Sequence, residues 1–208
     1  VGKYNIGITA GLETTIVPGD WIEGVNRMDL TLVSSEHSKK AFLDSKFQRM
    51  NEQTKQVEGT VEVKTPIEVL FEGIDTNIYK YLDKPNKEIG ALNTIPEDFA
   101  YLFVGHWLPG DLGEDRKNVG LLIKAFFELF KNKKNAPALI LKTAIVGPSY
   151  MDRDEVLKRI KMIRSTVNST DLPNVYLLHG EFTDEEINEL YNHPKVKAMV
   201  SLTKGEGF

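Results

Sequence analysis

The 208-residue sequence contains no cysteine, which excludes disulfide bonds, thiolate metal ligands and cysteine nucleophiles. No apolar run approaches the roughly 18–20 residues that a membrane-spanning helix needs. Neither charge sign dominates, because 26 basic and 30 acidic residues leave a net charge of −4. That balance gives no general attraction for nucleic acid or for an anionic membrane. We therefore expect a cytoplasmic protein, at most peripheral to a membrane, that does not bind nucleic acid.

Apolar runs alternate with helical patterns along the whole chain, and about 41 % of the residues are apolar. This alternation is typical of βα units on a parallel sheet, so the predicted fold class is α/β. Strands are predicted at 5–9, 30–34, 66–71, 99–104, 138–146, 175–179 and 198–202. Helices are predicted at 21–28, after Ser35, at 119–131, at 152–166, and from the capping box Thr183–Glu186 to Asn192.

The pattern divides into two βα blocks, residues 1–75 and 99–208. The polar, proline-marked stretch 76–98 between them is predicted to be a linker, and the polar residues 48–60 a connection. The chain begins with Val1 and ends shortly after an apolar strand. We therefore expect an internal piece of a longer protein, with both blocks incomplete and with dimerisation through their exposed edges.

A basic pair, Arg116-Lys117, lies in the loop that follows strand 99–104, just before an apolar helix. Ligands of parallel α/β sheets bind at the carboxyl ends of strands, where loops lead into helices. Fixed positive charge beside helix N–H groups suits a diphosphate. The alternative interpretation is an ordinary solvated turn.

Lys142 interrupts an apolar run that predicts a strand buried on both faces. Because an unpaired buried ammonium is too costly, Lys142 must form an ion pair, extend to solvent, or face a site from the end of its strand. A ligand role and a structural ion pair both remain open from the sequence.

Gly205-Glu206-Gly207 follows the last predicted strand. Glycines allow a ligand to approach the backbone, and the carboxylate accepts hydrogen bonds from sugar hydroxyls. An ordinary turn has the same composition. The four histidines, His37, His106, His179 and His193, are not spaced as metal ligands, so no metal site is predicted. His37 and His193 are interpreted as surface residues at helix ends.

Taken together, these motifs resemble the group 1 glycosyltransferases. The resemblance rests on Phe103-Val104-Gly105, Arg116-Lys117-Asn118-Val119, Lys142, Leu178-His179-Gly180-Glu181-Phe182 and Ser201…Gly205-Glu206-Gly207-Phe208. In the first block it continues through Thr9-Ala10-Gly11-Leu12-Glu13-Thr14, Pro18-Gly19-Asp20-Trp21, Asn26-Arg27-Met28-Asp29, Val33-Ser34-Ser35-Glu36-His37-Ser38 and Phe71-Glu72-Gly73-Ile74-Asp75. The order of these motifs is more specific than any one of them.

The resemblance implies a GT-B architecture of two Rossmann-like domains and retaining transfer from a nucleotide-diphosphate sugar, such as a UDP- or GDP-sugar. Residues 1–75 would be the end of the acceptor-side domain and 99–208 the nucleotide-sugar domain. The acceptor would be a glycan, a lipid or another small molecule. No further cofactor is implied.

Site roles also follow from the resemblance. Lys117 or Arg116 and Lys142 match the family's basic pair for the donor diphosphate, although His106 stands where the family often has arginine. Glu206 matches the first glutamate of a paired motif and would contact the transferred sugar. Gly205, Gly207 and Phe208 would form the loop at sugar and phosphate, and Gly180, Glu181 and Phe182 would contact the base.

Other functions remain open at this point: a non-catalytic nucleotide- or phosphosugar-binding module, or a sugar epimerase of GT-B architecture. The second glutamate of the family's motif would follow Phe208, outside this sequence. We therefore expect the 208-residue chain to be inactive by itself.

Overall fold

Parallel strands form the main sheets of the protein. The computed structural model describes residues 2–11, 14–51, 53–85 and 89–205. The chain divides into two compact units, Val1–Ile74 with Gly205–Phe208, and Asp75–Lys204. None of the helices in the described ranges is long and apolar enough to cross a bilayer. The elements are β1 Ile6–Thr9, α1 Gly19–Val25, β2 Leu30–Val33, α2 Glu36–Asp44, β3 Phe47–Met50, β4 Val57–Val61, β5 Ile67–Val69, α3 Gly90–Asn93, β6 Ala100–Val104, α4 Val119–Phe130, β7 Ala138–Lys142, α5 Tyr150–Ser165, β8 Val175–Leu178, α6 Asp184–Tyr191 and β9 Val196–Met199.

The first unit contains a three-stranded parallel sheet in the order β1-β2-β5. Ser35 accepts a hydrogen bond from the backbone N–H of Ser38 and so caps α2, as its sequence predicts. Phe42 on this helix is fully buried in the core of the unit. That core comprises Val17, Ile22, Val25, Val33, Ala41, Phe42 and Ile67.

The second unit contains a four-stranded parallel sheet in the order β8-β7-β6-β9. Numbered within the unit, this is the order 3-2-1-4 of a Rossmann-like half. Right-handed crossovers in such a sheet distribute helices over both faces. The predicted α/β class and the Rossmann-like strand order are therefore confirmed.

Strand β7 is buried on both faces, and its side chains alternate between two cores. Leu139 and Leu141 pack in a cluster with α4 and α5. Ala138 and Ile140 pack in the opposite cluster with Leu92, Ala100, Leu102 and Leu190. By the same alternation Lys142 belongs to the second face, one position beyond the fully buried part of the strand.

Several element boundaries differ from the sequence-based expectations. Residues 48–60 are not a plain connection, because β3 and β4 pair there as an antiparallel hairpin. The strand predicted at 138–146 ends at Lys142, and the one predicted at 198–202 begins two residues earlier and ends at Met199. In each case the pairing partner sets where the strand begins and ends, and local polarity alone does not show it.

The stretch predicted as a linker, residues 76–98, contacts α6 through residues 79–82 and contains α3. The Tyr79 hydroxyl donates to Asp184 at 2.8 Å, and the Leu82 backbone N–H donates to Asn192 at 2.9 Å. Leu92 of α3 is only 1 % exposed. This stretch belongs to the second compact unit, while the domain assignment stays a prediction.

The capping box predicted at the start of α6 is present and can be tested. Thr183 accepts a hydrogen bond from the Glu186 backbone N–H at 3.2 Å, and the Glu186 carboxylate accepts one from the Thr183 N–H at 2.8 Å. Thr183→Ala is expected to lower the free energy of unfolding by about 1 kcal/mol. Denaturant titration measures the loss, and Thr183→Ser, which keeps the hydroxyl, should restore most of it.

Candidate functional site

The carboxyl ends of the four parallel strands of the second unit lie at one edge of its sheet. Strand order reverses between β6 and β9, and ligands of open α/β sheets bind in the crevice at such a switch point. The segments that leave these two strands are residues 105–118 and 200–204. Most of the site residues predicted from the sequence lie in these segments or at the neighbouring ends of β7 and β8.

Hydrogen bonds connect the segment after β9 to the turn that precedes α4. The Lys204 backbone N–H donates to the Arg116 carbonyl at 2.9 Å, and Asn118 Nδ2 donates to the Leu202 carbonyl at 2.8 Å. Lys204 Nζ donates to the Glu114 carbonyl at 3.0 Å. The fold therefore places a third basic residue, Lys204, beside the predicted pair Arg116 and Lys117. Sequence reasoning missed Lys204, since only the pairing of distant segments brings it there.

The amino terminus of α4 is not as open as the sequence suggested. Asp115 is 1 % exposed, and its carboxylate accepts the Val119 backbone N–H at 3.3 Å. The capping residue Asn118 has a left-handed backbone, with φ of 52°, and makes no side-chain cap. Because a carboxylate already faces the first turn, positive charge for an anion must come from basic side chains rather than from this helix dipole.

Lys142 contacts the turn that follows β8. Its ammonium donates to the Gly180 carbonyl at 2.9 Å and lies 4.7 Å from the centre of the Phe182 ring. Partial burial lowers the pKa of Lys142 below its ordinary value. The structure thus brings Lys142 into contact with Gly180 and Phe182, two of the three residues predicted to contact the base, and no carboxylate partner is needed to explain the position of this lysine.

Asp152 and His179 form a buried pair at the same edge, which sequence reasoning did not find. His179 Nε2 lies 2.9 Å from Asp152 Oδ2, and each side chain is 6 % exposed. Asp152 also accepts the backbone N–H groups of Ile145 at 3.0 Å and Val146 at 2.7 Å. Burial raises the pKa of the Asp152 carboxyl, but the hydrogen bonds from His179 and from the backbone of residues 145–147 outweigh it and lower that pKa to about 2.

The remaining predicted residues have mixed outcomes. Glu206, Gly207 and Phe208 lie outside the described residues, and Gly205 is the last described one, while Glu181 is exposed on the turn after β8. His37 is exposed, as expected. His193 is 6 % exposed, so its assignment to the surface is wrong: it packs after α6 and accepts the Lys195 N–H at 3.2 Å. Burial, together with Lys195, lowers the pKa of His193. Across the described ranges, no group of three or more His, Asp or Glu is placed to hold a metal ion.

Comparison with known proteins finds similarity at the level of structure. No family model and no curated protein matches the sequence. The solved apo structure of OtsA is similar with a TM-score of 0.49 and 15 % identity, over 83 % of this chain and 39 % of the OtsA chain. This chain therefore spans less than half the length of OtsA. At 15 % identity, a similar course of the chain does not imply a shared activity.

The depressed pKa of Asp152 predicts a specific acid sensitivity. Its ionised form contributes stability in full above the ordinary value of 3.8, and this contribution is lost as the pH falls through about 2. Between these values the free energy of unfolding should fall more steeply for the wild type than for Asp152→Asn. Denaturant titrations at a series of pH values measure the slopes. Asp154→Asn, an exposed position on the same helix, is the control and should keep the wild-type slope; equal slopes for all three proteins would contradict the assignment.

Proposed function

We propose that the second unit binds the nucleoside-diphosphate part of a nucleotide-sugar donor, and that the chain is part of a retaining glycosyltransferase. The observation that carries this proposal is the clustering of basic residues around the switch point. Arg116, Lys117 and Lys204 lie on the β6–β9 side, and Lys142 lies at the end of β7. The motif resemblance supports the same donor class independently of this geometry.

An extended donor fits the spacing of this edge. Strands β8 and β9 are three strand spacings apart, which corresponds to about 14 Å. In our proposal the base contacts the Gly180–Phe182 turn and the diphosphate lies between Lys142 and the pair Arg116-Lys117. The motif resemblance, rather than this geometry, assigns the sugar to Gly205 and Glu206. The first βα block, residues 1–75, is assigned to the acceptor, a glycan, a lipid or another small molecule.

Transfer of the sugar creates a negative charge that basic side chains at this edge of the sheet would stabilise. Cleavage of the sugar–phosphate bond develops positive charge on the sugar and negative charge on the departing diphosphate. Fixed ammonium and guanidinium groups stabilise that diphosphate most strongly as the bond breaks. A carboxylate at the sugar, the role proposed for Glu206, orients it for attack by the acceptor.

Lys142 has to change partner in this scheme. Without a ligand its ammonium is bound to the Gly180 carbonyl. A diphosphate offers charged oxygens, and charge-assisted hydrogen bonds to them are roughly twice as strong as neutral ones. A lysine side chain has enough rotatable bonds to turn from the carbonyl to the phosphate while its stem stays in place. Its lowered pKa is expected to return towards the ordinary value once the diphosphate is bound, because a negative charge nearby favours the ammonium.

Calorimetric titration of the chain with UDP, GDP and ADP tests the proposal. Saturable binding of at least one of them is expected, and Lys142→Ala should weaken it by about 10- to 100-fold, the range of one charge-assisted hydrogen bond. Binding of the corresponding nucleoside should be nearly unchanged. The control is Lys133→Ala, because Lys133 also lies over a phenylalanine ring, 5.0 Å from the centre of Phe130, but precedes β7 at the opposite edge.

Two outcomes would count against the proposal. If no nucleoside diphosphate binds at millimolar concentration, the donor site is wrong. If Lys142→Ala and Lys133→Ala weaken binding equally, the effect is one of general charge rather than of this site. Nucleoside diphosphate release from a sugar donor in the presence of an acceptor, compared with Glu206→Ala, then distinguishes a transferase from a non-catalytic binding module or an epimerase.

A further inference from the structure

The Asp152–His179 pair lies at the edge of the sheet where the donor is proposed to bind, and each side chain is 6 % exposed. Protein groups already satisfy the Asp152 carboxylate, which accepts hydrogen bonds from His179 and from two backbone N–H groups. The pair is therefore suited to hold neighbouring segments together. Burying a charged carboxylate costs free energy unless hydrogen bonds satisfy it. The contacts that satisfy Asp152 therefore indicate what the pair does in the fold.

Asp152 joins three segments that leave this edge. It lies in the first turn of α5, where its own backbone N–H donates to the capping Ser149 hydroxyl at 3.1 Å. Its carboxylate accepts the N–H groups of residues 145 and 146, which follow β7. Through His179 it also reaches the end of β8. Because the carboxylate is an acceptor only, His179 Nε2 is the donor in this contact.

His179 directly precedes the turn Gly180–Phe182. Gly180 has φ of +121°, and an added Cβ there would find no atom within 4 Å, so this side of the turn faces open space. Phe182, at the other end of the turn, packs against the core cluster that contains Leu178 and Leu190. The position of the turn depends on the residues at its sides and on the hydrogen bond from Lys142 to the Gly180 carbonyl. Besides the strand pairing that puts Lys142 opposite Leu178, two side-chain contacts thus connect the end of β7 to the end of β8, one through Lys142 and one through Asp152 and His179.

We propose that His179 is a positioning residue that holds the Gly180–Phe182 turn in place when Lys142 leaves it for the donor diphosphate. This inference rests on the proposed function for the role of Lys142. The hydrogen bond to Asp152 stays made throughout, because the pair is buried and does not take part in ligand binding. The turn then keeps the conformation in which it contacts the base, while Lys142 binds the phosphate.

The test compares a variant that keeps a hydrogen-bond donor at position 179 with variants that remove it. His179→Gln places an amide N–H near the position of Nε2. His179→Leu is similar in size but has no hydrogen-bond donor, and the amide of His179→Asn is too short to reach Asp152. The control is Tyr176→Phe, which removes a hydrogen bond to Glu97 of 3.1 Å from the same strand, towards its other end. Circular dichroism and thermal melting first establish which variants fold.

Two measurements are made on each folded variant: affinity for the tightest of UDP, GDP and ADP, and amide hydrogen exchange of residues 180–182. His179→Leu, or His179→Asn if the leucine variant does not fold, is expected to weaken binding about tenfold and to accelerate exchange. His179→Gln should remain within about threefold of the wild type in both. Tyr176→Phe should leave affinity and exchange at the turn unchanged.

A double-mutant cycle with Lys142→Ala tests the central point without any ligand. Removing the lysine mimics its departure, so His179→Leu should accelerate exchange of 180–182 more in the Lys142→Ala protein than in the wild type. Equal effects in both backgrounds would overturn the proposal, as would wild-type affinity in His179→Leu or failure of His179→Gln to restore exchange. If the wild type binds no nucleotide, the proposed function fails, and the exchange cycle alone decides whether His179 positions the turn.

Discussion

Strand β6 forms hydrogen bonds to β7 on one side and to β9 on the other, all in the parallel direction. Parallel pairing aligns the carboxyl ends of strands that are far apart in the sequence, and in the 3-2-1-4 order the segments after β6 and β9 leave adjacent strand ends at the switch point. Residues 105–118 and 200–204 meet there for this reason. The β6–β9 pairing thus brings Lys204 beside Arg116 and Lys117.

Burial of a cation at the end of β7 is the second constraint. The strand alternates between two apolar cores, and Lys142 occupies the first position at which the sheet no longer covers its side chain fully. Its ammonium contacts a carbonyl and an aromatic ring, and no carboxylate among the described residues pairs with it, so dipoles rather than an opposite charge stabilise it there. A lysine held in this way can be taken over by an anion at little cost, since no ion pair has to be broken.

Some of this could be predicted from the sequence and some could not. The alternation of βα units and the capping by Ser35 and Thr183 follow from local patterns, whereas the end of β7 at Lys142 does not, because the apolar run continues to residue 146. The hairpin β3–β4 was missed because its strands are exposed and show no apolar alternation. The Asp152–His179 pair and the position of Lys204 could not be predicted, because both result from contacts between segments distant in the sequence. No local sequence pattern indicates such contacts. The open amino terminus of α4 was expected from the basic pair alone, whereas Asp115, its immediate neighbour, covers it.

The most direct test of the central claim is a nuclear magnetic resonance titration of the chain with UDP or GDP, with backbone amides assigned. The account predicts that the largest shifts fall at the carboxyl edge of the second sheet, in residues 105–107, 116–118, 142–146 and 180–182. Residues 97–99, 133–137 and 171–174, which line a cavity of about 780 Å³ and include segments that precede strands β6, β7 and β8, should shift little. Shifts concentrated in that cavity, with the carboxyl edge unchanged, would contradict the account.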